Sequence, residues 1–245
     1  MKQLSNTMQK MKASSVWRLT NHADDVEARG KKIYRLNIGQ PDLKVPMEYY
    51  ERIRAFQEPT VEYMPSQGTP ELLEAVEQYY QSIGIDVDKN HIYITTGGTE
   101  AIMFTLLALT NPGDEILIFE PYYSNYNTFF TMTGSHPVAV TTYAENGFHV
   151  ERSAIEAKIT DKTKAIFVTN PGNPTGAVFT EEEIRMIADV AKEHDLYIIC
   201  DEVYREMVFD GRKPTSFGYL EDIHDRLILI DSVSKRYSAC GARIG

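Results

Sequence analysis

The residues best suited to chemistry in this chain fall in five short runs, each directly behind an apolar stretch. Asp231-Ser232-Val233-Ser234-Lys235 follows Leu227–Ile230, with Gly241-Ala242-Arg243-Ile244-Gly245 shortly after. A lysine in such a place is ordinarily solvated. In a closed pocket beside other cations its pKa falls, and its amine becomes a nucleophile able to form a Schiff base. Asp201-Glu202-Val203-Tyr204 follows Leu196–Cys200. An acid just beyond a buried strand sits at low dielectric and needs a cation, unless it caps a helix. Thr169-Asn170-Pro171-Gly172-Asn173-Pro174-Thr175-Gly176 follows Ala165–Val168. Two Asn-Pro pairs and two glycines bend this loop more than a connection requires, and the bend would aim an amide into a cleft. Glu120-Pro121-Tyr122-Tyr123-Ser124-Asn125-Tyr126 follows Glu115–Phe119, where an aromatic either stacks on a flat ligand or, as favoured for any single tyrosine, packs locally. Thr96-Gly97-Gly98-Thr99-Glu100-Ala101 follows His91–Thr95. Its glycines admit a close ligand, and the first N–H groups of the following helix suit a phosphate. The same run also reads as a tight turn, and it is not the GxGxxG dinucleotide fingerprint.

Stepping from these runs to what must hold them, the sequence predicts strands over His91–Thr95, Glu115–Phe119, Pro137–Val140, Ala165–Val168, Leu196–Cys200 and Leu227–Ile230. Most are continuously apolar, as expected for strands covered on both faces. Helices alternate with them. Thr69-Pro70-Glu71 supplies an N-cap, a first-position proline and a first-turn acid, after which Leu72, Val76, Tyr79 and Ile83 recur at helical spacing. Thr180 with Glu183 forms a capping box ahead of Ile184, Ile187, Ala188 and Ala191. Thr99–Leu109 is apolar nearly all round and predicts a buried helix. Strand–helix alternation of this kind predicts a three-layer α/β/α fold with a mainly parallel sheet. Ligands in such sheets bind at the carboxyl ends of the strands, where all five runs lie. Residues 1–40 differ: they are polar, helical in places, and end in a strand-like stretch, Ile33–Ile38. They read as an arm packing elsewhere, as on a partner subunit, beside a large domain over 41–245.

Composition excludes several classes. A net charge of −10 argues against a nucleic-acid binder and requires any phosphate site to be locally positive or built from backbone N–H groups. There is no apolar run of about 18 residues, so no membrane span is expected, and the N-terminus lacks a signal-peptide core. Cys200 and Cys240 have no metal-ligand spacing and suggest no disulfide framework, which makes a reducing cytoplasm the simplest home and no metal the expectation.

The ordered set NPGNPTG, DEVY, and SVSK followed by GARIG, together with LNIGQPD at 36–42 and YMPSQGTPELLEAV at 63–76, resembles the class I and II aminotransferases. These are pyridoxal-phosphate enzymes of fold type I. The resemblance runs from about Leu36 to Gly245 and implies the following roles. Lys235 would form a Schiff base with the cofactor aldehyde and later move the substrate proton. Asp201 would pair with the protonated ring nitrogen, keeping the ring an electron acceptor. Asn173 and Tyr204 would hydrogen-bond the ring's 3-oxygen. Tyr123 would stack on the ring, where many relatives have tryptophan. Gly98, Thr99, Ser232 and Arg243 would bind the phosphate, with Tyr63 reaching the phosphate of a neighbouring subunit in a homodimer. Gly39 and Asn173 would meet the substrate.

The resemblance further implies transamination between an α-amino acid, aspartate or a similar one, and a 2-oxo acid such as 2-oxoglutarate. A carbon–sulfur β-lyase of the same fold shares Lys235, Asp201 and Arg243 and stands as the alternative. A regulatory module or an inactive fragment is a third reading. Relatives continue well beyond the Arg-Ile-Gly at which this sequence stops, so a fragment lacking a C-terminal small domain is expected.

Overall fold

The computed structural model describes residues 2–12 and 15–245. In chain order the elements are α1 (Asn6–Lys10), α2 (Ser15–Ala28), α3 (Met47–Ala55), α4 (Pro70–Ser82), α5 (Gly98–Leu109), β1 (Glu115–Glu120), α6 (Tyr126–Thr133), β2 (His136–Thr141), α7 (Arg152–Glu156), β3 (Thr163–Thr169), α8 (Glu181–Glu193), β4 (Tyr197–Asp201), β5 (Leu227–Ile230) and α9 (Val233–Arg236). The five strands form one parallel sheet in the order β2-β1-β3-β4-β5.

The continuous apolar runs explain the layering. Along each strand successive side chains alternate between faces, so a run without polar interruption must be covered twice. Leu117, Ile166, Val168, Ile198 and Cys200 join Ile184, Ile187, Ala188 and Ala191 of α8 on one face. Ile116, Ile118, Ala165, Phe167 and Ile199 join α5 and α6 on the other, through Ile102, Leu106, Phe129 and Phe130. The fold is therefore the three-layer α/β/α arrangement that the sequence predicts. Register sets the level of the site. Thr169 lies opposite Asp201, and Asp201 opposite Ile230, so the chain leaves β3, β4 and β5 side by side.

Local signals place the helices. Thr69 accepts from Leu72 N–H at the start of α4, with Pro70 in the first turn. Thr180 and Glu183 make the reciprocal capping box of α8. Such caps are each worth about 1 kcal/mol.

Four expectations need correction. His91–Thr95 is no strand. His91 closes a short helical turn, and Ile92–Thr95 is extended backbone that meets Gln67, through Ile94 N–H to Gln67 O at 2.8 Å and Gln67 Nε2 to Ile92 O at 2.7 Å, and Gly245, through a mutual exchange with Thr95 at 2.7 and 2.9 Å. Ile33–Ile38 likewise joins no sheet. Helix α5 is apolar all round yet covered on one side only: Ile102 and Leu106 are buried, while Phe104 and Leu107 are 56% and 59% exposed. In α4 the buried pair is Leu73 and Tyr80, one position off the expected stripe, whose members Leu72, Val76, Tyr79 and Ile83 are half-buried. In the arm, α1 lies against α6 of the same chain, and Arg35 bonds Asp24 and Glu27. No described helix is long and apolar enough to cross a membrane.

Candidate active site

Asp201 is the last residue of β4, and its side chain is 6% exposed. Its carboxylate accepts from Tyr126 OH at 2.7 Å and from Val203 N–H at 3.2 Å. It is in no salt bridge among the described residues. Burial pushes its pKa up to about 6, although both hydrogen bonds pull the other way. A buried carboxylate with donors but no cation is incomplete at neutral pH.

The loop after β3 divides its two asparagines between structure and site. Asn170 is fully buried. Its amide donates to Thr215 O and Oγ1, both at 3.1 Å, and accepts from Phe179 N–H at 3.1 Å. Gly172 N–H closes onto Ala177 O at 2.7 Å. That lock leaves Asn173 projecting, and its amide donates to Tyr204 OH at 3.3 Å. Tyr204, in the turn after β4, has its pKa raised to about 12 by burial and then by Asp201, so it remains a neutral phenol.

Lys235 lies in α9, directly after β5. Its Nζ sits 5.8 Å from the Tyr204 ring centroid and donates to Gly39 O at 2.6 Å. The arm thus reaches the site through Gly39, almost two hundred residues away in sequence. Tyr123, after β1, meets the Tyr126 ring edge-on at 5.4 Å and accepts from Asn125 at 2.7 Å. Both Tyr123 and Tyr204 feel Asp201 electrostatically, which puts the two rings around the same carboxylate.

The amino end of α5 forms the other pole. Gly98 and Thr99 open the helix, where backbone N–H groups have no intrahelical acceptor. Gly97, the N-cap, has φ of 79°, and a Cβ there would collide with the Arg243 guanidinium. Arg243 donates to Thr96 O at 3.2 Å and to Cys240 O at 2.9 Å, so its charge lies across the helix start. Ser232 caps α9. Its hydroxyl accepts from Ser234 N–H at 3.0 Å and is 2.7 Å from Ser234 Oγ and 2.9 Å from Ile244 O.

The structure therefore brings together Asp201, Asn173, Tyr204, Lys235, Gly39 and Tyr123, with Gly98, Thr99, Ser232 and Arg243 adjoining. Tyr63 stands apart, its side chain fully in solvent at 105% exposure. Sequence reasoning missed Tyr126, which holds Asp201 and also contacts Thr169 Oγ1 at 3.1 Å. Its helical spacing from Phe129 and Phe130 marks it as core, and only the fold reveals its hydroxyl's partner.

This arrangement is suited to a flat, cationic heterocycle bearing an aldehyde and a phosphate. The buried acid lacks a cation, an aromatic ring and an amide–phenol pair flank it, a lysine faces it, and a positive helix end lies near. The comparisons agree. The family model for aminotransferase class I and II matches residues 31–245. The chain belongs to that family, whose cofactor is pyridoxal 5′-phosphate. It is 33% identical to a probable aspartate/prephenate aminotransferase of Thermus aquaticus, with 100% of this chain covering 64% of that protein. It is 36% identical to aromatic-amino-acid aminotransferase 2 of Thermococcus litoralis, with 99% of this chain covering 62%. Among solved structures it resembles the aspartate aminotransferase of Thermus thermophilus with maleate, at a TM-score of 0.93 and 31% identity, over 100% of this chain and 64% of that one. The chain spans somewhat under two thirds of the length of these relatives.

Proposed function

We propose that the chain carries the cofactor chemistry of a transaminase acting on an α-amino acid, aspartate or a similar one, and a 2-oxo acid such as 2-oxoglutarate. The single observation that carries this reading is Asp201: a buried carboxylate held by Tyr126 and Val203, with its pKa raised to about 6 and no cation beside it. A protonated ring nitrogen supplies the missing charge. Bound pyridoxal phosphate supplies an electron sink for the carbon that loses its proton.

The chain's own groups divide the remaining work. Asp201 holds a proton on the ring nitrogen. Lys235 would hold the cofactor through its amine and, when free, would carry the proton to and from the substrate carbon. The 2.6 Å bond to Gly39 O keeps that amine fixed at the mouth of the site. Asn173 and Tyr204, already hydrogen-bonded to each other, orient the ring through its 3-oxygen. Tyr123 covers a ring face. The α5 N-terminus, Ser232 and Arg243 hold the phosphate by backbone, hydroxyl and guanidinium. Gly39 and Asn173 adjoin the substrate. Residues 1–40 act as an arm beside a large domain over 41–245. Solvent-exposed Tyr63 serves the phosphate site of a second copy in a cytoplasmic homodimer.

The test is to add pyridoxal phosphate to the chain, record its visible spectrum, reduce with borohydride and map the modified peptide. A visible band and a label on Lys235 are expected. A label on another lysine, with Lys235 unmodified, sinks the reading. Amino transfer that needs a 2-oxo acid is expected. Release of ammonia and pyruvate without one would assign the lyase reaction instead.

A further inference from the structure

Four charged side chains form a line behind the candidate site. Glu202 and Arg205 are buried, and Arg205 Nε donates to Glu202 at 2.6 Å. Arg205 Nη1 reaches Asp231 Oδ2 at 3.3 Å, and Arg236 Nη2 donates to the same oxygen at 2.7 Å. The signs alternate along the line: negative, positive, negative, positive. Neutral groups complete it. Tyr80 OH donates to Asp231 at 3.1 Å and accepts from Arg205 at 3.2 Å. The Tyr79 ring lies under Arg236 at 4.3 Å. Ser216 donates to Glu202 at 2.8 and 2.9 Å, and Phe217 N–H does so at 3.2 Å.

Each of these four is the chain neighbour of a residue assigned to the cofactor; Glu206, which extends the line 3.5 Å from Arg236 Nε, is not. Glu202 follows Asp201, Arg205 follows Tyr204, Asp231 precedes Ser232, and Arg236 follows Lys235. Asp231 also takes the Ser232 N–H at 2.7 Å, so the line grips the start of α9 directly. We propose that these four residues are positioning residues: the line locks the turn after β4 to the turn after β5, so that Asp201 and Tyr204 face Lys235 and Ser232 in one geometry. Consecutive Cα atoms are about 3.8 Å apart, so a charged residue that moves takes its neighbour with it. Buried ion pairs are poor stabilisers, since well-packed apolar residues often do as well. Their alternation beside four site residues is better explained by alignment than by stability. The proposal rests on reading Lys235 as the cofactor lysine.

Three variants separate alignment from stability. Arg205→Met leaves Glu202 buried and unpaired and is expected to melt below the parent. Adding Glu202→Gln removes the orphaned charge and is expected to restore most of the melting temperature. Arg205→Lys keeps a cation beside Glu202 but lacks the fork that also reaches Asp231. The readouts are the rate of borohydride-fixed labelling of Lys235 by pyridoxal phosphate and the pH midpoint of the visible band. In the double variant and in Arg205→Lys, labelling should slow roughly tenfold to a hundredfold, and the midpoint should move. A folded double variant with the parent's rate, or with an unmoved midpoint, overturns the proposal. An unlabelled Lys235 in the parent overturns the cofactor assignment itself and this proposal with it, so the two failures are distinguishable.

Discussion

Tyr126→Phe removes the shorter of the two hydrogen bonds that keep Asp201 ionisable, leaving the one from Val203 N–H. The Tyr126 hydroxyl donates to Asp201 at 2.7 Å, and its own pKa lies well above 10, so it remains a donor throughout the neutral range. A hydrogen bond to a charged group is worth about 1.5–3 kcal/mol. At 1.36 kcal/mol per pKa unit, its loss should raise Asp201 by roughly one to two units, from about 6 to above neutrality. The sign follows from linkage. The folded-state pKa exceeds the ordinary 3.8, so the folded chain keeps a proton that the unfolded chain has released. Stability therefore falls as pH rises from about 4 to about 6, by roughly 3 kcal/mol, and is flat above that window. In Tyr126→Phe the decline should continue to roughly pH 7 or 8, with a correspondingly larger total loss. Urea unfolding at a series of pH values measures this, with Asp201→Asn as the control that removes the dependence. A Tyr126→Phe profile superimposable on the parent would refute the argument, because burial alone would then set the Asp201 pKa. The same change should weaken pyridoxal phosphate binding at pH 7, where half or more of Asp201 would be neutral.

Three further outcomes are expected. Lys235→Ala should abolish borohydride-fixed cofactor while leaving weak noncovalent binding by equilibrium dialysis; a fixed label persisting elsewhere in the site would remove Lys235 from its role. Asp201→Asn should retain the cofactor but lower the rate of hydrogen exchange at the substrate α-carbon by at least about a hundredfold, as loss of a preorganised charge does; near-parent exchange would release Asp201 from the ring nitrogen. Gly97→Ala forces a side chain into the left-handed region, costing roughly 1–2 kcal/mol, and pushes the Arg243 guanidinium off the α5 start. It should weaken pyridoxal phosphate binding more than pyridoxal binding, in parallel titrations; equal losses would argue against a phosphate site there.

The sheet was legible because its strands are short, continuously apolar and separated by capped helices. Five of the six predicted strands pair, and α4 and α8 begin at the residues whose caps announce them. The sixth, His91–Thr95, has a strand's composition but joins no ladder: its backbone meets Gln67 at Ile94 and Gly245 at Thr95. Composition reports burial; pairing depends on which neighbour is present. Helix α5 teaches the same lesson from the other side. An all-round apolar helix predicts complete cover, yet Phe104 and Leu107 face outward.

The candidate site divides similarly. Asp201, Asn173, Tyr204, Lys235 and Arg243 stand at strand ends, where a conspicuous loop or an isolated charge betrays them. Tyr126, Glu202, Arg205 and Asp231 could not be read that way, because each resembles something ordinary in sequence: a core aromatic, or acids and bases on a solvated turn. What distinguishes them is distance. Arg205 is 26 residues from Asp231 and 125 from Tyr80, yet it bonds both. No local pattern encodes such a meeting; it arises because β4 and β5 run side by side and end level, with Asp201 opposite Ile230. The residues proposed to do chemistry are thus marked by local sequence, and those proposed to aim them by the parallel register. Shifting that register by one residue would turn Asp201 to the other face and separate it from Tyr126, even with every catalytic side chain retained.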